Sequence, residues 1–119
     1  MEVESEAVLR GIATDFKRLA AVPVRGIIVT SRSADPRFDF VSRFFAPASG
    51  VDEDPVTGSA HCCLADFWRK RLGKTEFVAF QASARGGVVK VGVVKDRALL
   101  GGRAVTVARG ELIFGEDLA

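Results

Sequence analysis

Apolar residues recur along this chain at two spacings. Some stretches repeat every third or fourth position and others alternate or run together, which separates helices from strands. From Ser5 to Ala20, Val8, Leu9, Ile12, Phe16 and Leu19 form one stripe, with Glu6, Arg10, Lys17 and Arg18 opposite. That spacing predicts a helix with Ser5 as its cap, ended by Pro23. Val24 to Thr30 reads as a strand buried on both faces along Ile27 to Val29. After a polar turn from Ser31 to Pro36, Arg37 to Phe45 is a second strand. Phe38, Phe40 and Ser42 face one way in it, and Val41 and Arg43 the other. Ala60, Leu64, Phe67 and Leu72 share a helical face, with Cys63 and Trp68 beside it. A helix of about 12 to 14 residues should begin near Gly58 or Ser59 and stop at Gly73. The remainder is valine-rich, with strands expected over Glu76 to Ala82, Gly87 to Val94, Arg97 to Leu100 and Arg103 to Phe114. Lys95-Asp96 has the look of a tight hairpin turn. Two helices against about six strands in antiparallel meander order, without a βαβ rhythm, make the expected fold class α+β.

Composition narrows the function classes. A chain of 119 residues is one domain's worth, and 48% hydrophobic against 27% charged residues places it among globular proteins. A formal net charge of +2 is too weak to imply a nucleic acid partner. Arg69, Lys70, Arg71 and Lys74 read as the solvated, dipole-favoured end of a helix. The start, Met1-Glu2-Val3-Glu4-Ser5-Glu6, is acidic where a targeting peptide would be basic, and no apolar run reaches membrane-spanning length. The expectation is a soluble, cytoplasmic chain. Cys62 and Cys63, being adjacent, suit neither a zinc quartet nor a mutual disulfide, and are expected as small buried thiols.

Candidate chemistry concentrates between Ser49 and Trp68. An acidic turn, Asp52-Glu53-Asp54-Pro55, precedes Thr57-Gly58-Ser59 and the predicted helix. The first turn of a helix leaves backbone N–H groups unpaired, so Gly58, Ser59 and Ala60 could hold a carboxylate while Asp54 faces it. Equally, Thr57 or Ser59 could simply cap the helix and Pro55 stiffen the turn. Arg43 leads into the acidic turn and could pair with Asp52, Glu53 or Asp54; Arg85, beside two glycines, could pair likewise or reach a substrate carboxylate. Gln81, at the end of an apolar strand, reads as an architectural amide. His61 is the single histidine, which excludes a histidine-rich metal site, and its expected role is to bind the acidic loop or backbone. No phosphate loop or dinucleotide fingerprint occurs, so neither metal nor cofactor is expected.

Three motifs carry a resemblance. Asp39-Phe40-Val41-Ser42-Arg43-Phe44-Phe45-Ala46-Pro47, Glu53-Asp54-Pro55-Val56-Thr57-Gly58-Ser59-Ala60-His61 and Gln81-Ala82-Ser83-Ala84-Arg85-Gly86-Gly87 closely resemble the carboxyl-terminal half of the phenazine-biosynthesis PhzF-like isomerase family. The resemblance implies one lobe of the diaminopimelate-epimerase-like fold, a mostly antiparallel sheet wrapped around a central helix, spanning residues 1–119. It implies cofactor-independent isomerisation by proton transfer on a small carboxylated metabolite, with Asp54 as the lobe's active-site aspartate. Ser59 would contact substrate, Gly58 and Ala60 would complete the helix entrance, and His61, Arg43 and Arg85 would support it. Family members are more than twice as long, and their principal acid-base glutamate belongs to an amino-terminal lobe that has no counterpart in these residues. A partner is therefore expected, either a separate amino-terminal lobe or a second copy in a homodimer. The competing expectations are a non-catalytic interaction lobe and a gene fragment.

Overall fold

The computed structural model describes residues 1–115. The elements in chain order are α1 (Glu6–Gly11), α2 (Phe16–Ala20), β1 (Ile27–Arg32), β2 (Phe40–Ala46), a 3-10 turn (Pro47–Ser49), β3 (Val51–Glu53), α3 (Gly58–Leu72), β4 (Glu76–Gln81), β5 (Gly87–Val94) and β6 (Arg97–Gly101). The fold is α+β. One sheet of six strands runs β1-β2-β4-β5-β6, with β3 also pairing to β2.

Strand alternation sorts the core into two layers. Phe40 and its neighbours Phe77, Ala79, Val89 and Val91 meet Leu64, Ala65 and Trp68 of α3 on one face. Val41 and Phe45 point the other way, with Val29 and Ala82, against Leu9 of α1. Burying both faces explains why β2 is buried at every position except the half-buried Arg43. Phe38 departs from the expected alternation: it precedes β2 and stacks on Phe80, with ring centroids 5.2 Å apart.

The expected first helix is two helices. Ser5 does cap α1, its hydroxyl accepting from Val8 N–H at 3.2 Å, but the chain leaves helical geometry at Ile12 (φ −63, ψ 115). Asp15 then caps α2 by accepting from Arg18 N–H at 3.0 Å. The stripe survives the break, since Ile12, Phe16 and Leu19 all pack on the Leu9 layer. Glu6, expected on the solvent side, is instead buried and accepts from Ala34 N–H at 2.7 Å.

The meander expectation fails at one pair. β2 and β4 are parallel neighbours, joined through β3 and α3. Parallel neighbours require such a crossover, so the chain contains a βαβ connection where its pattern predicts none. β1 runs along one whole edge of β2, from Phe40 to Phe45. On the opposite edge β4 takes Phe40 to Ser42, and β3 takes Phe45 and Ala46. Running in opposite directions, β3 and β4 therefore converge at the middle of β2, where Asp54 N–H reaches Phe44 O at 3.0 Å and Ala82 N–H reaches Ser42 O at 2.7 Å.

Two further expectations change. Cys62 and Cys63 are exposed, because α3 turns Ala60, His61, Leu64, Ala65 and Trp68 to the protein and leaves the thiols off that face. Arg103 to Phe114 makes no strand; Val105 and Val107 are 84% and 92% exposed. Strand propensity acts only through pairing with a neighbouring edge, and this stretch pairs with none among the described residues. Among them, too, no helix is long and apolar enough to cross a membrane.

Candidate functional site

The convergence of β3 and β4 on β2 creates the candidate site. Each strand delivers one residue to the meeting point: Asp54 follows β3 and Gln81 ends β4. Gln81 is 0% exposed, and its side-chain amide joins the two strand ends to the start of α3. Its Oε1 accepts from Thr57 N–H at 2.7 Å, while Nε2 donates to Asp54 O at 2.7 Å and to Thr57 Oγ1 at 3.0 Å. The Thr57 hydroxyl donates in turn to Asp54 Oδ2.

The β4–β5 turn braces the same loop from below. Ser83 Oγ donates to Pro55 O at 2.8 Å and accepts from Gly86 N–H at 3.0 Å. Gly86 has φ 71, and a Cβ on Gly87 would stand 2.2 Å from Val56 Cγ2, so the motif's paired glycines allow a left-handed turn and a close approach to the acidic loop. The loop's other end is held by Arg43. Its guanidinium forks onto Glu53 at 2.9 and 3.0 Å, donates to Leu9 O and Ile12 O, and covers the Phe45 ring. Of the three acidic residues open to it, Arg43 takes Glu53, and its role is structural. Arg85 is exposed on the braced turn and makes no ion pair among the described residues.

At the helix entrance Gly58 and Ser59 are exposed and Ala60 is buried. Thr57 is the N-cap residue, yet its hydroxyl makes no capping bond, being committed to Asp54 and Gln81. Ser59 is not the cap either: its hydroxyl accepts from Arg25 Nη2 at 2.9 Å. The N–H groups of Gly58, Ser59 and Ala60 thus keep no protein acceptor among the described residues, and a guanidinium stands beside them. Arg25 was not singled out from the sequence. It lies 34 residues from Ser59, with its guanidinium over Phe44, and no linear pattern reports that closure.

His61 lies directly behind the entrance. It is buried against Phe40, and its Nδ1 meets Thr57 O at 2.7 Å. A carbonyl can only accept, so Nδ1 carries the proton, and the buried Nε2, which has no partner among the described residues, carries the lone pair. Burial pushes the imidazole below its ordinary value, opposed in part by the bond to Thr57 O. The folded state therefore resists protonation of His61 while the unfolded chain accepts it near the usual value. Stability is full above about pH 6.5 and falls as the pH drops below it, with a limiting slope of about 1.4 kcal/mol per pH unit. Urea unfolding at pH 7.5 and 5.5 should show that loss in the parent and little of it in His61→Asn, whose amide can still donate to Thr57 O. Equal losses in both would remove His61 as the cause.

Two hollows occur elsewhere on the surface. One of about 520 Å³ lies over Phe77, Val91 and Leu99, and another of about 400 Å³ over Ile12, Leu19 and Phe45. Neither is lined by Asp54, Gly58 or Ser59. At the entrance itself, Gly58 and Ser59 lie exposed. Among the described residues, no group of three or more His, Cys, Asp or Glu side chains could hold a metal ion.

Comparison with known proteins gives one consistent result. Residues 1–110 match the PhzC-PhzF family, described as phenazine biosynthesis-like protein. The chain is 52% identical over 114 residues to an uncharacterized isomerase of Halalkalibacterium halodurans, covering 96% of this chain and 43% of that protein. It is 46% identical over 94 residues to the human phenazine biosynthesis-like domain-containing protein, covering 75% of this chain and 33% of the human one. Its fold superposes on the crystal structure of a PhzF family protein from Enterococcus faecalis with TM-score 0.83 and 39% identity, over 95% of this chain and 43% of that chain. The chain spans less than half the length of these relatives.

Proposed function

This chain belongs to the phenazine biosynthesis-like family, and from that premise we propose that it supplies one wall of a cofactor-independent isomerase site that moves a proton within a small carboxylated metabolite. The observation that carries the proposal is the Asp54 carboxylate, anchored on one oxygen beside a helix entrance whose first N–H groups have no protein acceptor among the described residues. In this reading the N–H groups of Gly58, Ser59 and Ala60, the Ser59 hydroxyl and the Arg25 guanidinium hold the substrate's anionic oxygens. Asp54 orients or polarises the reacting part of the molecule. The acid-base glutamate that completes proton transfer comes from an amino-terminal lobe facing this wall, and residues 1–119 act as that lobe's carboxyl-terminal partner. His61 and Arg43 support the wall from behind, and Arg85 stands at its rim.

The test is titration with benzoate, a minimal aromatic carboxylate, followed by amide chemical shifts. Gly58, Ser59 and Ala60 should shift, with weak affinity because a single wall buries little of the ligand and leaves it screened. Ser59→Ala should bind more weakly with stability nearly unchanged, since Ser59 is not the helix cap. Asp54→Asn should bind more tightly, because a nearby like charge is removed. Shifts that ignore benzoate in all three proteins would reduce the entrance to a braced turn.

A second reading, a non-catalytic lobe that works by association, is favoured by the exposed Val105, Val107, Leu112, Ile113 and Phe114. Unpaired apolar strand sequence of this kind suits addition to a second copy or to the amino-terminal lobe. The two readings part on whether the associated form exchanges substrate protons with solvent.

A further inference from the structure

We propose that Gln81 is a positioning residue for Asp54: acting through Thr57, it commits Oδ2 of the carboxylate to the fold and leaves Oδ1 as the oxygen that meets a ligand. The inference rests on the reading of Asp54 as a ligand-facing group. What carries it is the direction of each hydrogen bond, which the partners decide without reference to any assigned hydrogen.

Thr57 N–H can only donate, so the Gln81 atom 2.7 Å from it is the amide oxygen. The other end is therefore the NH2 group. That end faces Asp54 O, which can only accept, so the two assignments agree. One amide proton goes to Asp54 O and the other to Thr57 Oγ1. Thr57 Oγ1 is now an acceptor toward Gln81, and its single proton has Asp54 Oδ2 as its partner. Turning the amide over would set its oxygen against the Asp54 carbonyl and its NH2 against Thr57 N–H, losing these bonds together. Gln81 cannot escape to solvent, because it is fully buried at the end of β4, in register with Ser42 on one side and Gly87 on the other. Proton direction thus passes from a buried strand to a half-buried carboxylate. Oδ1 of Asp54 accepts no hydrogen bond among the described residues and is the free oxygen.

The experiment measures the Asp54 side-chain torsion in the ligand-free chain, from three-bond couplings between its carboxyl carbon and the backbone. Single-rotamer couplings are expected in the parent and in Thr57→Ser, which keeps the hydroxyl. Averaged couplings are expected in Thr57→Val, which replaces the hydroxyl by a methyl, and in Gln81→Glu, which in either protonation state cannot donate to Asp54 O and Thr57 Oγ1 together and so no longer directs the Thr57 proton to Asp54. Amide fingerprints establish that each variant is folded; if Gln81→Glu is not, Thr57→Val against Thr57→Ser decides alone. A role confined to packing would leave the Asp54 couplings unchanged, so single-rotamer values in Thr57→Val overturn the proposal, as do averaged values in the parent. The benzoate titration is scored separately. A fixed Asp54 with no response to benzoate would sink the functional reading and leave the positioning intact, whereas a benzoate response with a freely rotating Asp54 would do the opposite.

Discussion

Replacing Trp68 with alanine should cost about 3–5 kcal/mol, the range for removing a large aromatic from a packed core. The indole is 0% exposed, stacks on Phe40 at 5.4 Å with an interplanar angle of 10°, and meets the Phe67 ring edge-on at 5.4 Å. It also contributes a polar link. Nε1 donates to Thr30 Oγ1 at 3.0 Å, and Thr30 donates onward to Val41 O at 2.7 Å, tying α3 to β1 and β2. Alanine would leave both a void and a hydroxyl without its donor. Against a total stability of about 5–15 kcal/mol, the loss is enough to bring a chain of this size near its threshold. Urea denaturation followed by circular dichroism measures it, since Trp68 is the only tryptophan and its fluorescence vanishes with the mutation. Trp68→Phe should fall between, because it keeps most of the apolar contact and loses the indole N–H. A loss under about 1 kcal/mol in the alanine variant would mean that α3 does not anchor this sheet.

Replacing Arg43 with methionine should cost about 3 kcal/mol, near the lower end for breaking a buried ion pair. The pair is well sheltered, with the Arg43 and Glu53 side chains 13% and 20% exposed. Methionine preserves the apolar stem but strands the Glu53 carboxylate and the Ile12 carbonyl, and leaves Leu9 O only its bond from Ile12 N–H. Those groups belong to three segments: β3, α1 and the break after α1. The double variant Arg43→Met with Glu53→Gln should recover part of the loss, because no unpaired charge then remains. Arg43→Lys should recover little, since an ammonium cannot fork onto Glu53 while reaching both carbonyls. Urea midpoints across the set decide the matter, and a methionine variant as stable as its parent would show that β3 is held by its backbone alone. Because Asp54 follows Glu53 directly, the same variant should also weaken the benzoate-induced shifts at Gly58 to Ala60.

Local pattern and tertiary closure divide this protein unevenly. The α3 span, its stop at Gly73, the β4, β5 and β6 segments and the Lys95-Asp96 hairpin were legible because each depends on neighbours within a few residues: a periodic apolar face, a glycine at φ 65, a turn at φ 55. The motif around Asp54 and Ser59 was legible for the same reason, as a loop opening a helix. The break between α1 and α2 was not, because the apolar stripe continues across it and the break is held by Arg43, which lies 31 residues from Ile12. The parallel pairing of β2 with β4 was equally hidden, since strand period reports which residues share a face and says nothing of which edges meet.

The same distinction runs through the site. Residue types at the entrance, with their short spacings, determined that a carboxylate and open N–H groups would stand close together at the start of a helix. Only the tertiary structure decided that Arg25 joins them, that Arg43 takes Glu53 and not Asp54, and that the Thr57 hydroxyl accepts from Gln81 and donates to Asp54 instead of accepting from a helix N–H. Each of those outcomes is a competition for hydrogen-bond partners, and the winner depends on distances that exist only in the folded chain.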